Sequence, residues 1–206
     1  MLKELIEGTF FLTFSKKEHV MVNIVEDTFL GEFSLHDPNA CRSCKICLSD
    51  QSQKNNIKIS TLSPIFVVSV NQILSYIKDR IGRSCDYLIA NKKTVCFMEM
   101  TCSTSKNVNR YDSGKRMTAK AQISNTISIF RSNPNVKEFI EKKERRLAVF
   151  SWKETLYTND YNDTIERGFE VFSDIAKELK EENNELYIEG FLFKEVLYPE
   201  VFVIDN

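Results

Sequence analysis

Histidine is scarce in this chain: only His19 and His36 occur in 206 residues. Neither stands near a Gly-x-Ser-x-Gly or comparable nucleophile motif, which argues against a Ser–His–Asp hydrolase. A Gly-x-x-x-x-Gly-Lys-Ser/Thr phosphate loop is also missing, so nothing implies ATP. No run reaches the roughly 18 uninterrupted apolar residues of a membrane span. The opening residues Met1 to Leu5 carry an acid and no long apolar stretch, unlike a signal peptide. A cytoplasmic protein without a membrane partner is the expectation. Net charge is lacking too: at −1 the chain exerts no global pull on nucleic acid. A local basic surface, a second copy or a partner subunit would have to supply one. Internal repeats and low-complexity tracts are absent.

What is present is the material of a folded core. Hydrophobic residues make up 42% and charged residues 28%, with 15 Phe and 7 Tyr, far more apolar area than a disordered chain carries. The length fits one domain over residues 1–206. Cys85, Cys96 and Cys102 lie in or beside apolar strands and read as small buried hydrophobes in a reducing compartment.

Along the chain, Thr9–Phe14, His19–Val25 and Thr28–Leu35 read as short antiparallel strands, with Glu26-Asp27 as a turn. Residues 36–56 are polar and loop-like, so 1–68 form a β-rich extension. Ser69-Val70-Asn71-Gln72 has the form of a capping box. Val70, Ile73, Leu74, Ile77 and Ile81 follow at helical spacing before Gly82. Cys85–Ala90 and Thr94–Thr101 predict a hairpin around Asn91-Lys92-Lys93. A helix over Lys115–Arg131 ends before Pro134, and Leu147–Trp152 predicts a buried strand. Residues 69–152 thus give an α/β core. The remainder, 153–206, predicts a helix through Ile165, Phe169, Phe172 and Leu179, then strands near Leu186–Phe193 and Val196–Ile204.

Both faces of Val95–Thr101 are mostly apolar, the mark of a strand covered on two sides. A carboxylate there, Glu99, is costly unless it is paired, protonated or bound to a metal. Asp86 poses the same problem at the start of the neighbouring strand. A four-residue hairpin loop sets residues 86 and 99 opposite one another. Two converging acids suit a hard cation such as Mg²⁺ or Mn²⁺. In this respect the sequence resembles the PD-(D/E)XK nuclease superfamily of restriction endonucleases and RecB-type nucleases. Asp86 matches that pattern's Asp, and Glu99-Met100-Thr101 its (D/E)-x-K, after 12 intervening residues. Gln122, 21 residues beyond Thr101, matches the Gln of RecB-type members. The resemblance spans roughly 69–152 and implies a restriction-endonuclease-like mixed sheet flanked by helices. It implies a Mg²⁺ held by Asp86, Glu99 and the Met100 carbonyl, and phosphodiester hydrolysis on nucleic acid, DNA foremost, in a setting such as prokaryotic defence.

One position departs from the pattern, since Thr101 stands where the family has Lys. Its hydroxyl can orient water but carries no charge. Lys115, seven residues before Gln122 and on the same helix face, is the first candidate to replace it, ahead of Lys120 and Lys106. Lys115, Arg116 and Lys120 are candidates to contact nucleic acid, with Lys142, Lys143, Arg145 and Arg146 as a secondary set. The alternative reading is a catalytically inactive nuclease fold that binds nucleic acid or a partner subunit. Separately, Cys41-x-x-Cys44-x-x-Cys47 with His36 offers four soft ligands for a structural Zn²⁺, although a distant second cysteine pair is missing. A zinc-stapled interaction module is the third reading.

Overall fold

Apolar side chains build one mixed sheet whose central strands are buried on both faces and whose outer strands are partly exposed. A computed structural model describes residues 2–11, 14, 24–35, 57–77, 82–103, 105–110, 113–154 and 186–205. Its helices are α1 (Leu2–Leu5, continued by a π-helical turn at Ile6–Phe10), α2 (Val70–Ser75), α3 (Ser105–Asn109), α4 (Lys115–Arg131) and α5 (Pro134–Glu141). Its strands are β1 (Glu26–Leu35), β2 (Ile57–Ser69), β3 (Tyr87–Ala90), β4 (Thr94–Ser103), β5 (Arg145–Glu154), β6 (Tyr187–Ile188), β7 (Phe191–Leu197) and β8 (Val201–Val203). The eight-stranded sheet runs β1-β2-β3-β4-β5-β7-β6, with β8 beside β2. Strands β1 to β4 form antiparallel neighbours, whereas β4, β5 and β7 are parallel. A parallel pair needs a long crossover, and α3, α4 and α5 lie in the one between β4 and β5.

Strand periodicity sorts the side chains. Leu88, Ala90, Val95 and Phe97 face Ile123, Ile127 and Phe130 of α4, together with Leu2, Ile6 and Phe10. Tyr87, Ile89, Cys96, Met98 and Met100 belong to the opposite core, with Leu147 and Val149. Asp86 and Glu99 share the parity of the first set and therefore stand on the α4 face. Cys85 and Cys96 are buried free thiols, and burial pushes the Cys96 thiol well up from its ordinary value. No helix among the described residues is long and apolar enough to cross a membrane.

Several local signals act as read. The Ser69 hydroxyl accepts a hydrogen bond from the Gln72 amide at the start of α2. The Asn91 carboxamide oxygen accepts from the amides of Lys93 and Thr94 and shapes the β3–β4 hairpin. Other expectations are overturned. Thr9 and Phe10 lie in the π-helical turn, not in a strand, because Leu2, Ile6 and Phe10 recur every four residues and all are buried. Glu26-Asp27 is not a turn, since both pair with β2 opposite Val68 and Val67. Ile24 and Val25 are not in a strand, and residues 15–23 lie outside the described ones. The stretch expected as one strand over Leu186–Phe193 is cut by Glu189 and Gly190, whose φ of 51° and 77° reverse the chain between β6 and β7. Strand β2 has no counterpart in the sequence reading. The expected helix through Ile165 to Leu179 lies outside the described residues.

Beyond the pairing of β8 with β2, the C-terminal segment is held to the sheet by the Asp205 carboxylate. Strand β2 bulges around Leu62, Ser63 and Pro64, where the β1 register shifts. Pro64 has no amide to donate there. Asp205 accepts hydrogen bonds from the Thr61 hydroxyl (2.8 Å), the Ser63 hydroxyl (3.0 Å) and amide (3.2 Å), and the Asn91 side chain (2.9 Å). The Leu62 amide donates to it as well. Burial raises the Asp205 carboxyl, but the bonds from Thr61, Leu62 and Ser63 outweigh it and hold the group below its ordinary 3.8. The native state then binds fewer protons near that pH than the unfolded chain. Its stabilisation is complete above 3.8 and is lost as pH falls through the lower native value. Asp205→Asn is expected to lower unfolding free energy at pH 7 by about 1–2 kcal/mol. Urea unfolding at stepped pH should show the gap to wild type closing on acidification, and a pH-independent gap would contradict this role.

Candidate metal centre

The hairpin register puts Tyr87 opposite Met98, and the next positions outward are Asp86 and Glu99. Opposed residues on one face of an antiparallel pair have Cβ atoms about 4.5–5.5 Å apart. The main chain of Asp86 is held on both sides: its amide donates to the Met98 carbonyl (2.9 Å), and its carbonyl accepts from the Val70 amide opening α2 (2.9 Å). Its side-chain Oδ2 accepts from the Met100 amide at 2.8 Å. Asp86 is only 2% exposed and Glu99 9%, so both carboxylates are held out of bulk water.

Helix α4 positions the second acid. Gln122 Nε2 donates to Glu99 Oε1 (3.0 Å) and also to the Ser84 carbonyl (2.8 Å). One turn further, Asn125 Nδ2 donates to the Arg83 carbonyl (2.8 Å), and the Thr126 hydroxyl accepts from the Cys85 amide (2.9 Å). The face of α4 thus clasps the three residues that lead into Asp86. The start of α4 is fixed independently. Arg116 forks onto Glu195 of β7 (2.6 and 2.8 Å), and Trp152 Nε1 donates to the same carboxylate (2.9 Å). Gly114 passes so near α3 that a Cβ would lie 2.4 Å from the Arg110 carbonyl oxygen and 2.6 Å from that of Val108. Only glycine lets the chain through to Lys115.

The acids open into a cleft of about 400 Å³. Its lining includes Asp86, Glu99, Met100, Thr101, Lys115 and Gln122, six residues singled out in the sequence. It also includes Asn71, Arg83, Ser84, Thr118 and Phe150, which sequence reasoning missed. Thr118 was findable, standing three residues after Lys115 and four before Gln122 on a helix. Arg83 and Ser84 immediately precede the acid-bearing hairpin but match no motif. The cleft is electronegative at its base: burial, and after it the charge of Glu99, holds the Cys85 thiol well above its ordinary value. Cys85 is therefore an inert thiol.

Not every candidate comes to the cleft. Arg116 is committed to Glu195, and the Lys120 ammonium lies 5.0 Å from the centre of the Phe193 ring. Lys106 sits in α3 and does not line the cleft. The secondary basic set is at the far end of the strands, since Arg145 pairs with Thr94 while Glu99 pairs with Phe150. Five residues of strand put about 17 Å between those ends. Lys143 there donates to the Asn91 carbonyl (2.6 Å), Lys142 pairs with Glu138, and Arg145 donates to the Ile204 carbonyl. Of these residues, Thr101, Lys115 and Gln122 line the cleft beside the acids, and Gln122 touches Glu99. His36, Cys41, Cys44 and Cys47 lie outside the described residues.

The donor set fits a hard divalent cation. Mg²⁺ is commonly held by one or two carboxylates and completes its shell with water and substrate oxygens. Among the described residues no three His, Cys, Asp or Glu side chains gather at one point. A cation held by Asp86 and Glu99 would therefore draw its other ligands from main-chain carbonyl, water or substrate. No protein-family model, curated protein or solved structure matches the chain.

Proposed function

We propose that this protein is a metal-dependent nuclease that hydrolyses phosphodiester bonds in nucleic acid, DNA foremost, with Asp86 and Glu99 as its cation ligands. The observation that carries the reading is the acid pair itself, one step beyond the Tyr87–Met98 pair of the β3–β4 hairpin and opening into a polar cleft with a lysine on its wall. The element order supports it. From residue 70 the chain runs α2, β3, β4, α4 and β5 with β5 parallel to β4, the helix–strand–strand–helix–strand order on which the resemblance to a PD-(D/E)XK core rests.

A bound Mg²⁺ would lower the pKa of a coordinated water and offset charge on the phosphate. The chain's own groups divide the remaining work. The Met100 amide orients the Asp86 carboxylate, and the Gln122 amide orients Glu99. Thr101 offers a hydroxyl for the attacking water in place of the missing lysine. Lys115 brings a positive charge to the same cleft, where it can stabilise charge gathering on the phosphate oxygens.

A second reading, a nuclease fold that binds nucleic acid or a partner without cutting, is favoured by Thr101 in the lysine position. The deciding experiment is cleavage of labelled DNA and RNA with Mg²⁺ or Mn²⁺, wild type against Glu99→Gln. Metal-dependent cleavage that vanishes in the variant supports the nuclease. Binding without cleavage under either metal supports the second reading.

A further inference from the structure

The cations around the acid pair are unequal. Arg116 and Lys120 are turned to β7, and Lys142 and Lys143 are engaged at the other end of the sheet. Two cationic residues line the acidic cleft, Arg83 and Lys115, and neither side chain makes an ion pair or hydrogen bond to another described residue. Their positions can be ordered along α4. Lys115 opens the helix, Gln122 holds Glu99, and Asn125 holds the carbonyl of Arg83. At 1.5 Å per residue, Lys115 and Asn125 are about 15 Å apart along the axis, with the Glu99 level between them. Along the axis the Glu99 level is about 10.5 Å from Lys115 and about 4.5 Å from the Arg83 end, so the two cationic residues enter the cleft from opposite sides of the acid pair.

We infer that Arg83 is a substrate-positioning residue that binds a second phosphate of a polynucleotide strand, next to the one held at the acid pair. The inference rests on the nuclease reading and adds a substrate class to it: a strand with at least two consecutive phosphates, preferred over an isolated phosphodiester. The order along α4 supplies the distinction, because the two cations flank the Glu99 level from opposite sides and so suit two phosphates of one strand. Lys115 takes the scissile phosphate, and the guanidinium of Arg83, a fork suited to two phosphate oxygens, takes its neighbour. Asn125 binds only the main chain of Arg83, so changing that side chain leaves the approach to Asp86 intact.

The test compares wild type, Arg83→Ala and Arg83→Lys on a labelled oligonucleotide and on bis(p-nitrophenyl) phosphate, both with Mn²⁺. Arg83→Ala should lower kcat/KM on the oligonucleotide roughly 10- to 100-fold, the loss of one charge-assisted contact. Hydrolysis of the small diester should stay within about twofold, and Arg83→Lys should recover part of the loss. Oligonucleotide binding in Ca²⁺ should show a log–log salt slope reduced by about one in Arg83→Ala. Equal losses on both substrates, or an unchanged salt slope, would overturn the role of Arg83 while leaving the nuclease standing. The slope alone decides if the small diester turns over too slowly to follow. A wild type that neither cuts nor binds the oligonucleotide overturns the nuclease reading and this inference together.

Discussion

Glu99→Gln is expected to cut metal-dependent cleavage about 10³-fold, a cation's charge stabilisation of several kcal/mol at about 1.4 kcal/mol per decade. The metal-free protein should melt no lower than wild type. The substitution is nearly isosteric, and the new carboxamide oxygen can still accept the hydrogen bond that Gln122 donates. What it removes is one of two buried carboxylates that line the same cleft at the end of the β3–β4 hairpin, whose like charges repel. Function and stability should therefore move in opposite directions. A structural role for Glu99 predicts the reverse pairing, a clear fall in melting temperature with no specific loss of metal dependence. Scanning calorimetry without metal, beside the cleavage assay, separates the two.

The largest effect on stability is expected at Phe130. It is fully buried near the C-terminal end of α4, stacked on Phe10 with ring centres 4.7 Å apart and edge-on to Phe97 at 5.5 Å. That contact joins the N-terminal segment, the crossover helix and the acid-bearing strand β4. Truncation to Ala loses transfer energy and leaves a cavity whose walls come from three elements, so partial collapse recovers little. The cost should be about 3–5 kcal/mol, or roughly 6–20 °C in Tm for a chain of this size. By contrast, Phe33 stacks on Phe29 at 4.4 Å in the outer strand β1, where both rings are only partly buried. Phe33→Ala should cost much less. Urea unfolding of the two variants checks the order, and equal losses would mean that the α4 face is not the main core.

The parts of this fold that could be read from sequence are those encoded locally. Ser69 and Gln72 mark a helix start because their bond is within one turn. Asn91 marks the hairpin because its side chain meets the next amides. Those two signals, with the short loop between them and the acids, were enough to put Asp86 opposite Glu99. The parts that could not be read depend on remote partners. Glu26 and Asp27 have a turn's composition and become strand only through pairing with β2. Strand β2 itself is interrupted by a Ser-Pro bulge that Asp205 closes from far along the chain. In the site, Lys115 ranked above Lys120 on helical phase alone, and the cleft contains Lys115 and not Lys120. The fork of Arg116 is captured by Glu195 on β7, a contact no local pattern contains.

The central claim is that Asp86 and Glu99 form a cation site, and binding of Mn²⁺ tests it without requiring turnover. Titration followed by the electron paramagnetic resonance signal of free Mn²⁺ should show an ion taken up by wild type and competed away by Mg²⁺. Asp86→Asn and Glu99→Gln should each abolish that uptake while retaining the wild-type circular dichroism spectrum. Uptake that persists in both folded variants, or no uptake by wild type at millimolar Mn²⁺, would contradict the account.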